Sequence, residues 1–265
     1  MNSIDLISNS TKVFKYSGIR GIILQGTKFL HRKTTLLEHQ VHFRRKRQKL
    51  IGYSNLSDPW KPIYVAPSEI DWYRAAPGWG NSSYGFSRDL DIGRIVPGNW
   101  DRDESTIAIS ENQKFSSVLD HFENGTDWAD TKIYSYMERM IEKRGVADGC
   151  HSLSDVRERY ERIDELYNKI AKEGYRSQKS LDVKGDRHPT FREVCISIGH
   201  DGRIIFGGGG GTHRLAIAIS LGIDEIPVGV IVRHKEWQLT KENVESIRDK
   251  NMLNHPDIRA MKNFD

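Results

Sequence analysis

An apolar, strand-like segment runs directly into five consecutive glycines and then into a helix, and no other part of the sequence constrains the fold as strongly. The strand-like segment covers residues 203–206, the glycines residues 207–211, and the helical pattern residues 212–221. Gly222 ends that pattern, and residues 226–232 are typical of another strand. A strand, a glycine turn and a helix N-terminus direct unpaired N–H groups and a positive dipole at one point, which favours an anion such as phosphate.

The glycine run allows two interpretations. Glycine lets the backbone approach a phosphate closely, and Arg214 in the first helical turn would add a bidentate charge. Alternatively, the run is a flexible hairpin tip and Arg214 is solvated. It is not a Walker A loop, because no Gly-Lys-Ser/Thr follows it, and it lacks the acidic residue that a Rossmann fingerprint carries about 20 residues later.

The residues around the glycines resemble the second signature of the ParB/sulfiredoxin superfamily. That signature is a Gly-x-x-Arg or Gly-x-His-Arg turn, a short alanine-rich helix, Leu-Gly and an Ile-Pro-Val strand. The matching residues are Gly-Gly-Thr-His-Arg-Leu at 210–215, Ala216, Ala218, Leu221-Gly222 and Glu-Ile-Pro-Val at 225–228. Residues 163–170 and 174–178 resemble the helix and Gly-x-x-x-Pro turn of the first signature, with a glutamine near the usual proline. The resemblance covers residues 155–238.

Individual residues narrow the functions that this resemblance implies. Sulfiredoxins need a cysteine between the last glycine and the histidine, and Thr212 at that position argues against their chemistry. ParB partition proteins continue into a helix-turn-helix and a dimerisation region, for which residues 233–265 offer too little sequence. The resemblance therefore favours the ParB-fold kinases, which phosphorylate small hydroxylated molecules. A non-catalytic ParB-like nucleotide- or DNA-binding module is the alternative.

The kinase interpretation assigns roles to specific residues. The resemblance implies that ATP, or another nucleoside triphosphate, binds with Mg²⁺ and that His213 also takes part in catalysis. The residues implied in binding are Gly209, Gly210, Gly211, Thr212, His213 and Arg214. In the kinase branch, the carboxylate that acts on the hydroxyl lies upstream, in a turn after a short strand. Here residues 92–96 are typical of a strand and Pro97-Gly98 of a turn, which makes Asp101 the candidate base.

Asp103 is a second candidate base or a magnesium ligand. The competing interpretation is that residues 99–101 only cap a turn or a helix. The acceptor would be a hydroxyl of a small molecule, a glycan or a lipid-linked compound.

Amino-acid composition limits which classes of protein the chain can belong to. A chain of 265 residues with 37% hydrophobic and 29% charged residues fits one large domain, or a small domain with extensions. No apolar run approaches the length of a membrane-spanning helix, and the first residues do not resemble a secretory signal. Cys150 and Cys195 supply neither a disulfide framework nor a metal quartet. We therefore expect a cytoplasmic protein.

Positive charge is concentrated in residues 1–50. They contain eleven lysines and arginines and two acidic residues, a formal charge of +9, whereas the rest of the chain carries −5. Aliphatic side chains are mixed with the basic ones, which suits an anionic membrane surface and a peripheral location at its inner face. Nucleic acid is less favoured, because basic arms that bind it usually carry fewer aliphatic residues. A solvated helical face or a protein-binding arm fits the pattern equally well.

The predicted fold class is α+β (mixed α/β), a ParB/sulfiredoxin-like small mixed sheet with a helical insertion and N- and C-terminal helical extensions. The predicted units are a basic amphipathic segment at 1–50, a nucleotide-binding body at 51–240 with an insertion at about 112–173, and a helical tail at 241–265. Strands are expected at 92–96, 181–183, 193–198, 203–206 and 227–232. Helices are expected in two parts within 112–145, the second capped by Asp127 or Asp130, at 152–173 capped by Ser152 or Ser154, and in the tail from Thr240.

Overall fold

A computed structural model of the chain describes residues 36–74, 86, 90–102, 106–181, 188–207 and 210–262. These residues form a mixed α/β fold with a seven-stranded mixed sheet and eight α-helices. The strands are β1 (Ile63–Val65), β2 (Trp72–Arg74), β3 (Arg94–Val96), β4 (Thr106–Ala108), β5 (Val194–Ile198), β6 (Ile204–Phe206) and β7 (Ile226–His234). The helices are α1 (Leu36–Leu50), α2 (Gln113–Asn124), α3 (Lys132–Arg144), α4 (Leu153–Glu173), α5 (Thr212–Ser220), α6 (Lys235–Glu242), α7 (Lys250–Leu253) and α8 (Pro256–Lys262).

Strand β7 organises the sheet. The strand order is β1-β7-β5-β6-β2-β4, and β3 pairs with the C-terminal part of β7. β7 is antiparallel to β1 and parallel to both β3 and β5, and all nine of its residues are buried. A strand that is buried on both faces carries a nearly continuous apolar sequence, as residues 226–232 do.

Both faces of the sheet are covered. Val194, Ile196 and Ile198 of β5 belong to the larger core, to which α2, α3, α4 and α5 also contribute. Cys195 belongs to a smaller core that includes Val41 of α1 and residues 92, 100, 205, 231 and 232. In the described residues, no helix combines the length and the apolar character that crossing a bilayer requires.

Several predicted elements are confirmed, including the strands around the glycine run and the helix over residues 152–173. Ser152 caps α4 by accepting the N–H of Asp155 at 3.1 Å, as expected for an N-cap serine. Residues 112–145 hold two helices as predicted. However, Asp127 accepts the N–H of Ala129 at 2.9 Å and so caps the short 3₁₀ turn Trp128–Asp130, not α3.

The predicted start of the tail helix at Thr240 is wrong. α6 begins five residues earlier, at Lys235, because the Nδ1 atom of His234 accepts the N–H of Glu236 at 3.1 Å and takes the place of a capping oxygen. Short strands were expected within residues 52–100 but could not be placed individually, and β4 was not predicted. Three residues are too few to show an alternating pattern. Of the predicted strand at 181–183, Leu181 lies in a turn and the other two residues lie outside the described ranges.

A buried ionic network joins the end of β7 to α6 and α8. Arg233 contacts both carboxylate oxygens of Asp257, at 2.6 and 2.9 Å, and Lys241 Nζ lies 3.1 Å from Oδ2. Trp237 Nε1 donates to the same oxygen at 3.0 Å. Burial raises the pKa of Asp257, but Arg233 and Lys241 outweigh it and hold the pKa well below its usual range.

We expect Asp257→Asn to destabilise the protein by about 3–5 kcal/mol, because it leaves two buried cations without their carboxylate. The free energy of unfolding from urea titration measures this loss. Since the pKa of the Asp257 carboxyl is lower in the folded chain than in the unfolded chain, protonation of Asp257 destabilises the wild-type protein as the pH falls below about 4. The variant has no carboxyl at this position, so its stability lacks this contribution to the pH dependence.

The control is Glu225→Gln, which breaks the half-exposed pair of Glu225 with Arg259 (2.8 Å). This substitution should lower the free energy of unfolding by no more than about 1 kcal/mol. Equal losses in the two variants would contradict a structural role for the buried network.

Candidate functional site

The N-terminus of α5 lies against the start of β5. Gly211 precedes the helix with a φ of 95°, and a Cβ atom at this position would lie 2.8 Å from the Cα of Val194. Glycine is therefore required both by the backbone conformation and by the close contact. Among the described residues, no side chain caps the N–H groups of the first turn of α5. The predicted strand–glycine–helix unit is confirmed.

Arg214 is engaged inside the protein. Its Nη1 lies 3.5 Å from Oε2 of Glu193, and its Nη2 donates to the carbonyl of Arg192. The other oxygen of Glu193 accepts the N–H of Gln178 at 2.5 Å. Burial raises the pKa of Glu193, which the N–H of Gln178 and the Arg214 guanidinium offset only in part. Arg214 thus ties α5 to the start of β5, and its contact with phosphate stays a prediction.

His213 contacts a different part of the protein from Arg214. Its ring lies edge-on to Tyr160 of α4, with the ring centroids 6.0 Å apart, and its Nε2 is buried without a hydrogen-bond partner. Burial, together with the charges of Lys114 and Arg159, lowers the pKa of His213 to about 3. The imidazole is therefore neutral at physiological pH.

Asp148 brings a carboxylate to the same place. Lys114 Nζ at the start of α2 donates to Oδ2 of Asp148, and Arg159 Nη2 of α4 lies 3.6 Å from that oxygen. Asp148 has a φ of 47°, and it is the one described non-glycine residue with a positive φ. Burial raises the pKa of Asp148, but Lys114 and Arg159 outweigh it, so the pKa lies below its usual value. The carboxylate is half-exposed and ionised at neutral pH.

Together these residues form the polar cluster, defined as Lys114, Asp148, Arg159, Tyr160 and His213. Three of its buried polar atoms lack a hydrogen-bond partner, namely Arg159 Nε, Tyr160 Oη and His213 Nε2. Unpartnered buried polar atoms are rare and require an explanation, such as a ligand, an ion or ordered water. The cluster therefore combines two cations, one carboxylate and unused hydrogen-bonding capacity beside the N-terminus of α5.

Asp101 lies elsewhere. Its side chain is fully buried, and Oδ2 accepts both the backbone N–H of His200 at 2.5 Å and the ring Nδ1 at 2.7 Å. Oδ1 has no hydrogen-bond partner and lies 3.9 Å from Nε2 of His234. Burial raises the pKa of Asp101, but the hydrogen bonds from His200 and the proximity of His234 lower it below its usual value. Asp101 thus anchors the turn between β5 and β6.

The structure does not bring Asp101 and the Gly-Thr-His-Arg turn together. Asp101 contacts Gly199, just after the end of β5, whereas Gly211 contacts Val194 at the start of β5. At about 3.3 Å per residue, these two ends of the strand are roughly 16 Å apart. Strand β5 therefore separates Asp101 from the glycine turn, and a catalytic role for Asp101 stays a prediction. Asp103 and Gly209 lie outside the described residues.

Asp101, His200 and Asp201 are close enough to share a metal ion, with ligand atoms within 4.8 Å of one another. Two of the three residues already engage other side chains: Nε2 of His200 accepts from Arg102 at 2.6 Å, and Arg203 binds the carboxylate of Asp201 at 3.1 Å. A histidine that is held on both ring nitrogens is also a poor ligand for Mg²⁺, which prefers oxygen atoms. Binding of Mg²⁺ stays a prediction.

The sequence pattern did not reveal Lys114, Asp148 and Arg159, because they are widely separated along the chain. Lys114, Arg159 and Tyr160 all occupy ordinary helical positions. The one local signal is Asp148 before Gly149, which is typical of a turn and gives no functional information.

No family model matches the chain, and neither a curated protein nor a solved structure shows significant similarity to it. The resemblance to the ParB/sulfiredoxin superfamily therefore rests on the motifs in residues 155–238.

We expect Gly211→Ala to lower the free energy of unfolding by about 2–6 kcal/mol, because a left-handed backbone and an overpacked contact each cost about 1–3 kcal/mol. Gly207→Ala is the matched control within the same glycine run, since a Cβ there meets no atom within 4 Å. It should change stability by less than about 0.5 kcal/mol. Urea titration of both variants tests the contact, and equal losses would show that Gly211 is not tightly packed.

Proposed function

We propose that the protein is a nucleotide-dependent phosphotransferase with a ParB/sulfiredoxin-like fold, which binds the phosphates of ATP or a related nucleotide at the N-terminus of α5. The acceptor is a hydroxyl of a small molecule, a glycan or a lipid-linked compound. The observation that carries the proposal is the polar cluster, which sets two cations and a carboxylate beside a helix N-terminus that no described side chain caps.

The charges around α5 support phosphate binding. Backbone N–H groups and the helix dipole favour an anion at this position. Lys114 and Arg159 lie beside His213 in the first turn and can add charge-assisted hydrogen bonds. The unpartnered Nε of Arg159 is a donor that a phosphate oxygen would satisfy.

Asp148 replaces Asp101 as the candidate catalytic carboxylate. It is ionised and half-exposed, so it can accept a hydrogen bond from an acceptor hydroxyl. That oxygen would attack the terminal phosphorus, its proton would pass to Asp148 or to water, and the bond to the bridging oxygen would break to release the nucleoside diphosphate. A low pKa suits this role, because phosphoryl transfer depends more on positioning than on a strong base.

Mg²⁺ bound to the substrate phosphates would neutralise the charge that develops during transfer. Asp148 is the carboxylate of the polar cluster and the residue that could contact such an ion. The role of His213 changes as well, because a group with a pKa of about 3 is not a proton donor at neutral pH. We assign it a neutral hydrogen bond to the ligand through Nε2.

A non-catalytic nucleotide- or DNA-binding module is the second candidate. The observation that favours it is the basic helix α1, with five lysines and arginines and one glutamate. Binding of nucleotide without turnover would support this candidate.

We expect Asp148→Asn to retain binding of Mg·ATP and to reduce turnover by about 10²–10⁴-fold, the usual contribution of a general base. Lys114→Met should weaken binding about tenfold or more, because a hydrogen bond to a charged group is lost. Calorimetry with Mg·ATP measures binding, and release of ADP with mixed sugars, polyols and hydroxylated amino acids measures turnover.

Asp101→Asn is the matched control, because this carboxylate lies at the other end of β5. It should leave the affinity for Mg·ATP unchanged in protein that remains folded. If Asp101→Asn abolished turnover in folded protein and Asp148→Asn did not, the assignment of Asp148 would be wrong.

A further inference from the structure

Helix α1 is held firmly on the body of the protein by one of its faces. Arg44 donates from Nη1 to the carbonyl of Ile92 at 2.8 Å and from Nη2 to that of Leu90 at 2.6 Å. Gln48 Nε2 donates to the carbonyl of Gly93 at 2.9 Å, and Val41 is buried in the smaller core. These contacts fix which side of α1 faces outward.

The outward side carries large apolar side chains. Phe43, Leu50 and Ile51 are 66%, 80% and 68% exposed. Residues 43, 47, 50 and 51 follow the spacing of one helical face, and Arg47 lies among the apolar residues. Residues 39–53 contain no aspartate or glutamate. The face therefore combines large apolar side chains with charged side chains that are all basic.

A basic groove adjoins this face. Its volume is about 420 Å³, and its lining includes four cations and no carboxylate. The lining residues are Arg44, Arg47, Gln48, Ile51, Tyr53, Arg94, Ile95 and Lys235. Arg94 is paired with Asp91 at 2.5 Å, whereas Arg47 and Lys235 make no hydrogen bond or ion pair through their side chains within the described residues. Two free cations beside apolar side chains suit a ligand that is itself anionic and apolar.

We propose that the exposed face of α1 docks on an anionic phospholipid bilayer. Phe43, Leu50 and Ile51 enter the boundary between head groups and acyl chains, and a lipid phosphate occupies the groove between Arg47 and Lys235. Amphipathic helices with basic and apolar residues bind membrane surfaces in this way. A nucleic acid would use the cations but would leave the three apolar side chains in water, so the bilayer is the better partner. This inference does not depend on phosphotransferase activity.

Co-sedimentation of the full chain with vesicles tests the proposal. The protein should sediment with vesicles of phosphatidylcholine and phosphatidylglycerol, and much less with phosphatidylcholine alone. High salt should weaken the interaction, because it screens exposed charges. The result needs no variant, so it is independent of any effect of substitution on folding.

Two variants separate the apolar and the ionic contributions. Leu50→Gln/Ile51→Gln should lower the affinity for anionic vesicles at least about tenfold, since two aliphatic side chains no longer leave water. Arg47→Glu/Lys235→Glu should abolish the preference for anionic lipid. Leu153→Gln/Leu239→Gln removes two aliphatic side chains outside α1, exposed by 39% and 43%, and should bind as the wild type does.

Equal binding to both kinds of vesicle would overturn the proposal, as would an unchanged affinity in the Leu50→Gln/Ile51→Gln variant. Binding of duplex DNA in preference to anionic vesicles would show that the face recognises nucleic acid instead. Full inhibition of vesicle binding by inorganic phosphate would show that the groove recognises the free ion.

Discussion

The close contact between Gly211 and Val194 is the constraint on which the candidate site depends. It holds the N-terminus of α5 against the start of β5, with less room than a methyl group requires. With the helix fixed there, Arg214 lies beside Glu193, and His213 lies against Tyr160 of α4. The polar cluster then lies beside His213 in the first turn of α5, although its residues come from four separate parts of the chain.

The sequence alone suggested that Asp101 and the glycine turn belong to one site. In the structure, strand β5 separates them. At the start of β5 lie the glycine turn and the polar cluster. Beyond its end, Asp101 binds the backbone and ring of His200, and Gly199 has no space for a Cβ because the carboxylate would lie 2.7 Å from it. That packing explains Asp101 as an anchor for the turn between β5 and β6. It also moves the candidate catalytic carboxylate to Asp148, which is half-exposed and lies next to the helix.

Local sequence patterns predicted the parts of the fold that depend on short-range interactions along the chain. The glycine run, the apolar stretch that became β7 and the Ser152 cap are short-range signals, and the structure contains each of them. Strands β1, β2 and β4 have three residues each and depend on their neighbours for stability, so no periodicity marks them. The His234 cap and the polar cluster could not be predicted either, because a capping histidine is uncommon and the cluster exists only through tertiary packing.

The central claim is that nucleotide phosphates bind where α5 meets the polar cluster. A crystal structure of the full chain with Mg²⁺ and a non-hydrolysable ATP analogue tests it most directly. The account predicts a terminal phosphate within hydrogen-bonding distance of the first-turn N–H groups of α5 and of Lys114 or Arg159. Phosphates bound beside Asp101 and His200, or in the groove of α1, with the N-terminus of α5 left vacant, would contradict it.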